Sequence, residues 1–415
     1  MTLSARTTAH PAPPTVPTAP SPPPQWAVVG IGALVAAVLA VAVGVVAGPV
    51  LVIALALGLG LGLALFHSRF GFTSAWRQLV AVGQGAALRA HMLMLAAAAV
   101  LFALILPSGL GLAGAPEPQL GPIGIALFVG AFLFGVGMQI GGSCASGTLF
   151  SVGSGQLAIV YTLVGFVGGS ILATATWSFW TETLSRGPVV DLAAVLGYPG
   201  ALAASLAAMA AVVAATYLLG RRRTPPPLAQ PPTDRGVRRV LRGSWPLWVG
   251  ALALAVLNAA TLVVTGSPWG ITSAFALWGA RAMDAVGADP STWAYWSSPG
   301  NAAQLARPVL ADRTSVMDFG IMIGALLAAG LGGVFRLHRH VPVRTVVGAV
   351  LGGVLMGYGA RIAGGCNIGA YFSGIASFSL HGWLWGLTAL VGTAAGLALR
   401  PLFRLPVPKP GDARC

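Results

Sequence analysis

The sequence predicts an all-α polytopic membrane protein, with about ten transmembrane spans plus short re-entrant helices in two inverted-topology halves. Three observations predict it. Of 415 residues, 56% are hydrophobic and only 8% charged, and the mean hydropathy is +0.83, outside the range of soluble domains. Arginines gather in short segments between apolar stretches, as in loops held on the cytoplasmic side of a membrane. A glycine–cysteine motif occurs twice. The formal net charge of +14 would suit a nucleic-acid partner, but its confinement to those loops orients a membrane chain, and a nucleic-acid reading is rejected.

Residues 1–25 are rich in Pro, Ala and Thr, without a compact apolar region ending in small residues, so they read as a disordered cytoplasmic tail and not a leader. A span needs roughly 20 apolar residues. Such stretches begin near Trp26, Pro49, Leu88, Gly121, Gln156, Pro199, Trp245, Met317, Val343 and Gly382. Between them lie Phe70 to Arg77, Gly141 to Gly155, Pro268 to Asp284 and Gly364 to Ser379, too short or too glycine-rich to cross. The segment Arg221 to Arg242 carries seven arginines and one acid, marking a cytoplasmic linker. Arg69, Arg77 and Arg89, and likewise Arg336, Arg339 and Arg344, mark inside loops, whereas Pro107 to Leu120 has no lysine or arginine and reads as outside. Ten crossings satisfy these loops if the short segments dip in and return on one side. The domain reading is 1–25 tail, 26–220 first transmembrane half, 221–244 basic linker, 245–402 second half and 403–415 tail, with both termini cytoplasmic in a bacterial inner membrane.

Gly135 to Ser151 aligns without gaps on Gly357 to Ser373 at an offset of 222, with eight of 17 positions identical, where biased composition alone would give about two. Upstream, Gly71-Phe-Thr-Ser-Ala is similar to Gly270-Ile-Thr-Ser-Ala, so each half carries two motifs in the same order. Loop charges send the span before Cys144 inward and the span before Cys366 outward. The repeat is therefore expected to be inverted, with Cys144 approached from the cytoplasm and Cys366 from the periplasm.

Gly142 and Ser143 before Cys144, and Gly364 and Gly365 before Cys366, free the backbone inside apolar stretches, which lipid forbids unless the site lines a cavity. A short helix opened there would offer N–H donors to an anion; the plainer reading is close helix packing through small residues. A lone cysteine in an apolar span is ordinarily a small packing residue, but these two recur at one motif position. Near neutrality a free thiol is mostly S–H and can donate a weak hydrogen bond to a soft sulfur atom. Arg361, at the position matching Gln139, could attract an anion at the outer mouth or snorkel at the interface. Asn367 could orient a substrate oxygen or cap the short helix. Asp318 and Asp284 read as structural or solvated, His91 as interfacial. No cysteine or histidine cluster has metal spacing, no ATP-binding motif is evident, and no carboxylate or histidine constellation occupies the spans; neither an enzyme nor a cofactor is expected. A membrane thiol oxidoreductase is disfavoured because no resolving cysteine pair is present. A channel for another small anion or a neutral solute, with structural cysteines, stays open.

On these motifs the chain resembles the YeeE/YedE sulfur-transport family, from about Trp26 to Arg400. Gly141-Gly-Ser-Cys-Ala-Ser-Gly, Pro268-Trp-Gly-Ile-Thr-Ser-Ala-Phe and Gly364-Gly-Cys-Asn-Ile-Gly look like three of its segments, in the expected order. The resemblance implies uptake of thiosulfate or a related sulfur anion through an hourglass-shaped protein in the lipid bilayer, with Cys144 and Cys366 touching the ion. It also implies a small cytoplasmic TusA-like sulfur carrier as a partner. The first motif departs from the family pattern Arg-Phe-Cys-Phe-Thr: here Gly71 stands where the relatives have a third pathway cysteine.

Overall fold

In lipid every backbone N–H must find its partner within its own segment or a closed barrel, so long runs of Leu, Ala and Val fold as helices. A computed structural model, which describes residues 22–223, 225, 236–337 and 341–409, has ten helices long and apolar enough to cross a membrane. The chain order is α1 (Trp26–Ala47), α2 (Pro49–Ser68), α3 (Phe72–Val82), α4 (Ala86–Ser108), α5 (Ile125–Ile140), α6 (Ala145–Gly153), α7 (Leu157–Ala175) and α8 (Leu192–Arg223). A short α9 (Val237–Arg242) leads to α10 (Leu247–Thr265), α11 (Thr272–Ala285), α12 (Pro299–Ala306), α13 (Arg313–Leu331) and α14 (Val343–Ile362). The last elements are a π-helical segment (Asn367–Ser373), its one-turn continuation α15 (Gly374–Ala376), and α16 (Leu380–Leu399). Most of the expected 1–25 tail, positions 224 and 226–235 of the linker, Arg339 and Cys415 lie outside the described residues.

The four segments read as too short to cross became α3, α6, α11 and the π-helical segment with α15. The largest boundary difference is α8, which starts at Leu192 and not near Pro199. Gly197 (φ 69°) bends the chain there, and Pro199 opens the straight part that an apolar window detects.

Packing pairs the elements twice over. With the motifs aligned, α2, α3, α4, α5, α6 and α7 correspond to α10, α11, α13, α14, the π-helical segment and α16. Helix α7 packs on α14 as α5 packs on α16; α2 packs on α13 as α10 packs on α4; α1 flanks α13 as α8 flanks α4. The equivalent helices α5 and α14 touch antiparallel, Gly130 against Gly359 and Gly137 against Gly352. Residues 130 and 352 are 222 apart, and so are 137 and 359, so each contact is the image of the other.

Between helices in lipid the hydrophobic effect gives little, and close packing must hold the bundle. Glycines supply it: a Cβ at Gly135 would strike the Ala389 carbonyl, and one at the equivalent Gly357 would strike the Phe166 carbonyl. Around the motifs, Phe70, Phe72, Phe134, Phe166, Phe275, Phe372, Trp269 and Trp385 are fully buried, in edge-on or tilted ring contacts such as Phe166–Phe275 at 4.9 Å and Phe134–Trp385 at 5.2 Å.

Candidate functional site

Cys144 and Cys366 take the same place in the two halves. Each is the N-cap of a short helical segment, with φ and ψ of −94° and −174° at Cys144 and −105° and −166° at Cys366. Two residues earlier the chain turns through left-handed Gly142 (φ 80°) and Gly364 (φ 73°), a conformation only glycine adopts freely. The Cys144 carbonyl accepts from Thr148 N–H (2.7 Å) and the Cys366 carbonyl from Ala370 N–H (2.9 Å), positions again 222 apart. Both side chains are buried, 1% and 0% exposed, and the two short segments touch each other. Neither cysteine side chain makes a cap hydrogen bond to its segment. Cys144 Sγ is 3.6 Å from Ser146 Oγ.

The other sequence-selected residues frame this centre. Gly142 and Gly364 remain exposed while Ser143 is buried. Asn367 is fully buried; it directs Nδ2 at Met138 Sδ of α5 (3.9 Å), and its Oδ1 has no hydrogen-bond partner among the described residues. Arg361 does not stand free at a mouth. Its guanidinium donates to the Thr272 carbonyl (2.5 Å) and Tyr295 Oη (2.7 Å) and lies over the Tyr295 ring at 5.2 Å, with Nε unpartnered. Gln139, at the matching position, donates from Nε2 to the Thr73 carbonyl (3.3 Å). Thr73 and Thr272 are themselves equivalent, so in each half the same bond ties the upstream motif to the cysteine motif.

Two cavities open at opposite ends of α2 and α13. The larger, about 920 Å³, lies at their N-terminal ends and is lined by Ser273, Arg307, Arg313 and Thr314. The smaller, about 350 Å³, lies at their C-terminal ends and is lined by Arg69, Gly71, Ser74, Phe150 and Arg242. Ser74 and Ser273 hold the same place in the two upstream motifs, so the cavities are counterparts. Gly71 thus faces the smaller vestibule, one that also reaches Phe150 of α6.

Three buried polar groups are placed otherwise than the sequence suggested, or were not singled out in it. Asp318 is 0% exposed, neither structural in an obvious pairing nor solvated: both carboxyl oxygens lack a hydrogen-bond partner among the described residues. His91, read as interfacial, is buried in the protein at 1% exposed and lies in tilted ring contacts with Phe70 (5.0 Å) and Phe72 (4.5 Å), the residues flanking Gly71. Asp318 and His91 are each the sixth residue of the equivalent helices α13 and α4. Asn258 accepts from Trp269 N–H (2.8 Å) and donates to Ser373 Oγ (3.2 Å), which donates to the Trp269 carbonyl (2.8 Å). That triangle fixes the end of the π-helical segment to the Pro268–Phe275 motif. The one advance signal was Ser373, an identity in the repeat.

A family profile described as sulphur transport matches residues 67–395. A protein named probable transporter YedE from Salmonella typhimurium is 32% identical over 165 residues, 39% of this chain and 40% of the relative. The thiosulfate transporter TsuA of Spirochaeta thermophila is 27% identical over 339 residues, 79% of this chain and 92% of the relative. The thiosulfate transporter TsuA of Escherichia coli K12 is 25% identical over 338 residues, 78% and 86% respectively. The chain therefore matches about two-fifths of the length of the YedE relative and most of both others.

Proposed function

The chain belongs to the sulphur-transport family, and from that membership we propose that it takes up a small sulfur-containing anion, thiosulfate first, along a central path past Cys144 and Cys366. The observation that carries the residue assignment is their equivalence: two buried cysteines, each at the N-cap position of a short helical segment, on segments in mutual contact. A charge at the centre of a bilayer costs roughly 2.5–3.5 kcal/mol even on lenient scales, so a dianion needs a short constriction with water on both sides. The vestibules at the two ends of α2 and α13 support such an hourglass, and the antiparallel packing of α5 on α14 supports inverted halves. S–H and N–H groups at the constriction would replace part of the hydration shell.

The smaller vestibule, with Arg69 and Arg242, is assigned to the cytoplasm of a bacterial inner membrane by the positive-inside rule, with both termini on that side. The larger faces the periplasm. A TusA-like carrier that accepts the sulfur on the cytoplasmic side rests on resemblance alone. A second reading keeps transport and makes the cysteines structural; the burial of both and the Cys144–Ser146 contact favour it.

Uptake of sulfur-labelled thiosulfate into proteoliposomes, with sulfate as competitor, separates the two. Loss of uptake in both Cys144→Ala and Cys366→Ala, with wild-type uptake resistant to sulfate, supports the thiol path. Unchanged uptake in both variants leaves them packing residues.

A further inference from the structure

A column on one face of α13 runs from the larger vestibule to the cysteine-bearing segments. Thr314 lines the vestibule and accepts a hydrogen bond from Ser273 Oγ (3.0 Å). Asp318, one turn deeper, has no exposed surface and no partner on either carboxyl oxygen among the described residues. Met322, one turn deeper again, packs its backbone against Gly153 of α6. Residues four apart share a helix face, so Asp318 stands between the vestibule floor and α6, the segment that Cys144 caps and on which α13 packs.

Nearby charges do not compensate it. Asp312 spends its carboxylate on Ser315 N–H (2.8 Å), Ser315 Oγ (2.7 Å) and Gln304 (2.9 Å), and adds negative charge of its own. Arg313 donates away from it, to Thr265 Oγ1 (3.1 Å). An uncompensated carboxylate here would carry a desolvation penalty of several kcal/mol and would repel an incoming anion. The neutral acid has neither problem and offers one O–H donor.

We propose that Asp318 is an anion-binding residue of the transport path, a carboxylic acid that donates its O–H to the sulfur oxyanion between the larger vestibule and the cysteine-capped segments. The assignment rests on the sulfur-anion reading above. The proton stays on the carboxyl; no bond to sulfur forms or breaks. Asparagine can supply an N–H in place of the O–H, whereas alanine cannot.

The test pairs thiosulfate uptake in proteoliposomes with infrared difference spectroscopy of the same vesicles. Asp318→Asn is expected to keep most of the uptake and Asp318→Ala to lose at least about tenfold, the scale of one hydrogen bond to a charged group. The wild type is expected to show a protonated-carboxyl C=O band at neutral pH that is absent from Asp318→Asn and displaced by added thiosulfate. Absence of that band overturns the proposal, as does a band that thiosulfate, sulfite and sulfate all leave in place, or full uptake by Asp318→Ala. A wild type that does not carry thiosulfate sinks the substrate reading instead; displacement of the band by sulfite or sulfate would then still support Asp318.

Discussion

Cys144 and Cys366 are each the N-cap of a helical segment, where the first N–H groups lack intrahelical partners, so on the proposed path a thiol there would add one more donor. Cys144→Ser and Cys366→Ser keep a small O–H donor and are expected to retain a measurable part of the initial uptake rate, against at least about a tenfold loss for alanine. Equal losses in serine and alanine variants would mean that sulfur itself, and not donation, matters. Gly71 offers the complementary experiment. Its backbone is extended (φ −130°), and a Cβ there would meet only Ser74 Oγ at 2.8 Å, a side chain free to rotate. Gly71→Cys should therefore fold, react with a maleimide from the smaller vestibule, and raise thiosulfate uptake if a third sulfur station assists passage. Cys144, Cys366 and Gly71 were legible because their motifs repeat or depart from a pattern. The full burial of Asp318 was not, because nothing in a single apolar run says which face of the helix turns inward.

Helices supply the next constraint, since their contacts decide whether glycine is a packing or a conformational choice. Adding a methyl group at Gly135 or Gly357 drives it into a neighbouring backbone carbonyl, while Gly168 on α7 has nothing within 4 Å of its Cβ position. Overpacking costs about 1–3 kcal/mol, whereas alanine in an open helical site gains up to about 1 kcal/mol in propensity. Gly135→Ala and Gly357→Ala are thus expected to lower the thermal unfolding midpoint in detergent by several degrees, and Gly168→Ala to hold or raise it. A similar fall in all three would remove the packing account. The ten spans and four short segments were readable from apolar length and glycine content. The equivalence of α4 and α13 was hidden: the upstream motifs are 199 apart and the cysteine motifs 222, while α4 and α13 begin 227 apart, at Ala86 and Arg313. An inserted stretch around α12 and a shorter loop after α13 break the register, so only contacts recover it.

For the whole molecule the proposed path has two ends, a cavity at each lined by one copy of the upstream motif. Basic residues meet at one end: Arg69 and Arg242 line one cavity, and Arg223 donates to the Val80 carbonyl (3.0 Å) at the close of α3. At the other end Asp312 shares its cavity with Arg307 and Arg313, so arginine there is partly offset by acid. By the positive-inside rule such an excess would hold that face inside, the orientation proposed above. Single cysteines introduced in a Cys415→Ser background test this, because Cys144 and Cys366 are buried and should stay silent toward an impermeant maleimide. Ala113→Cys, in the larger vestibule, is expected to label in intact right-side-out vesicles, and Val334→Cys, in the smaller, only after permeabilisation. Labelling of both from the same side would defeat a two-ended path, and the reverse pattern would turn the molecule over, placing Gly71 at the outer mouth and Asp318 next to the inner one.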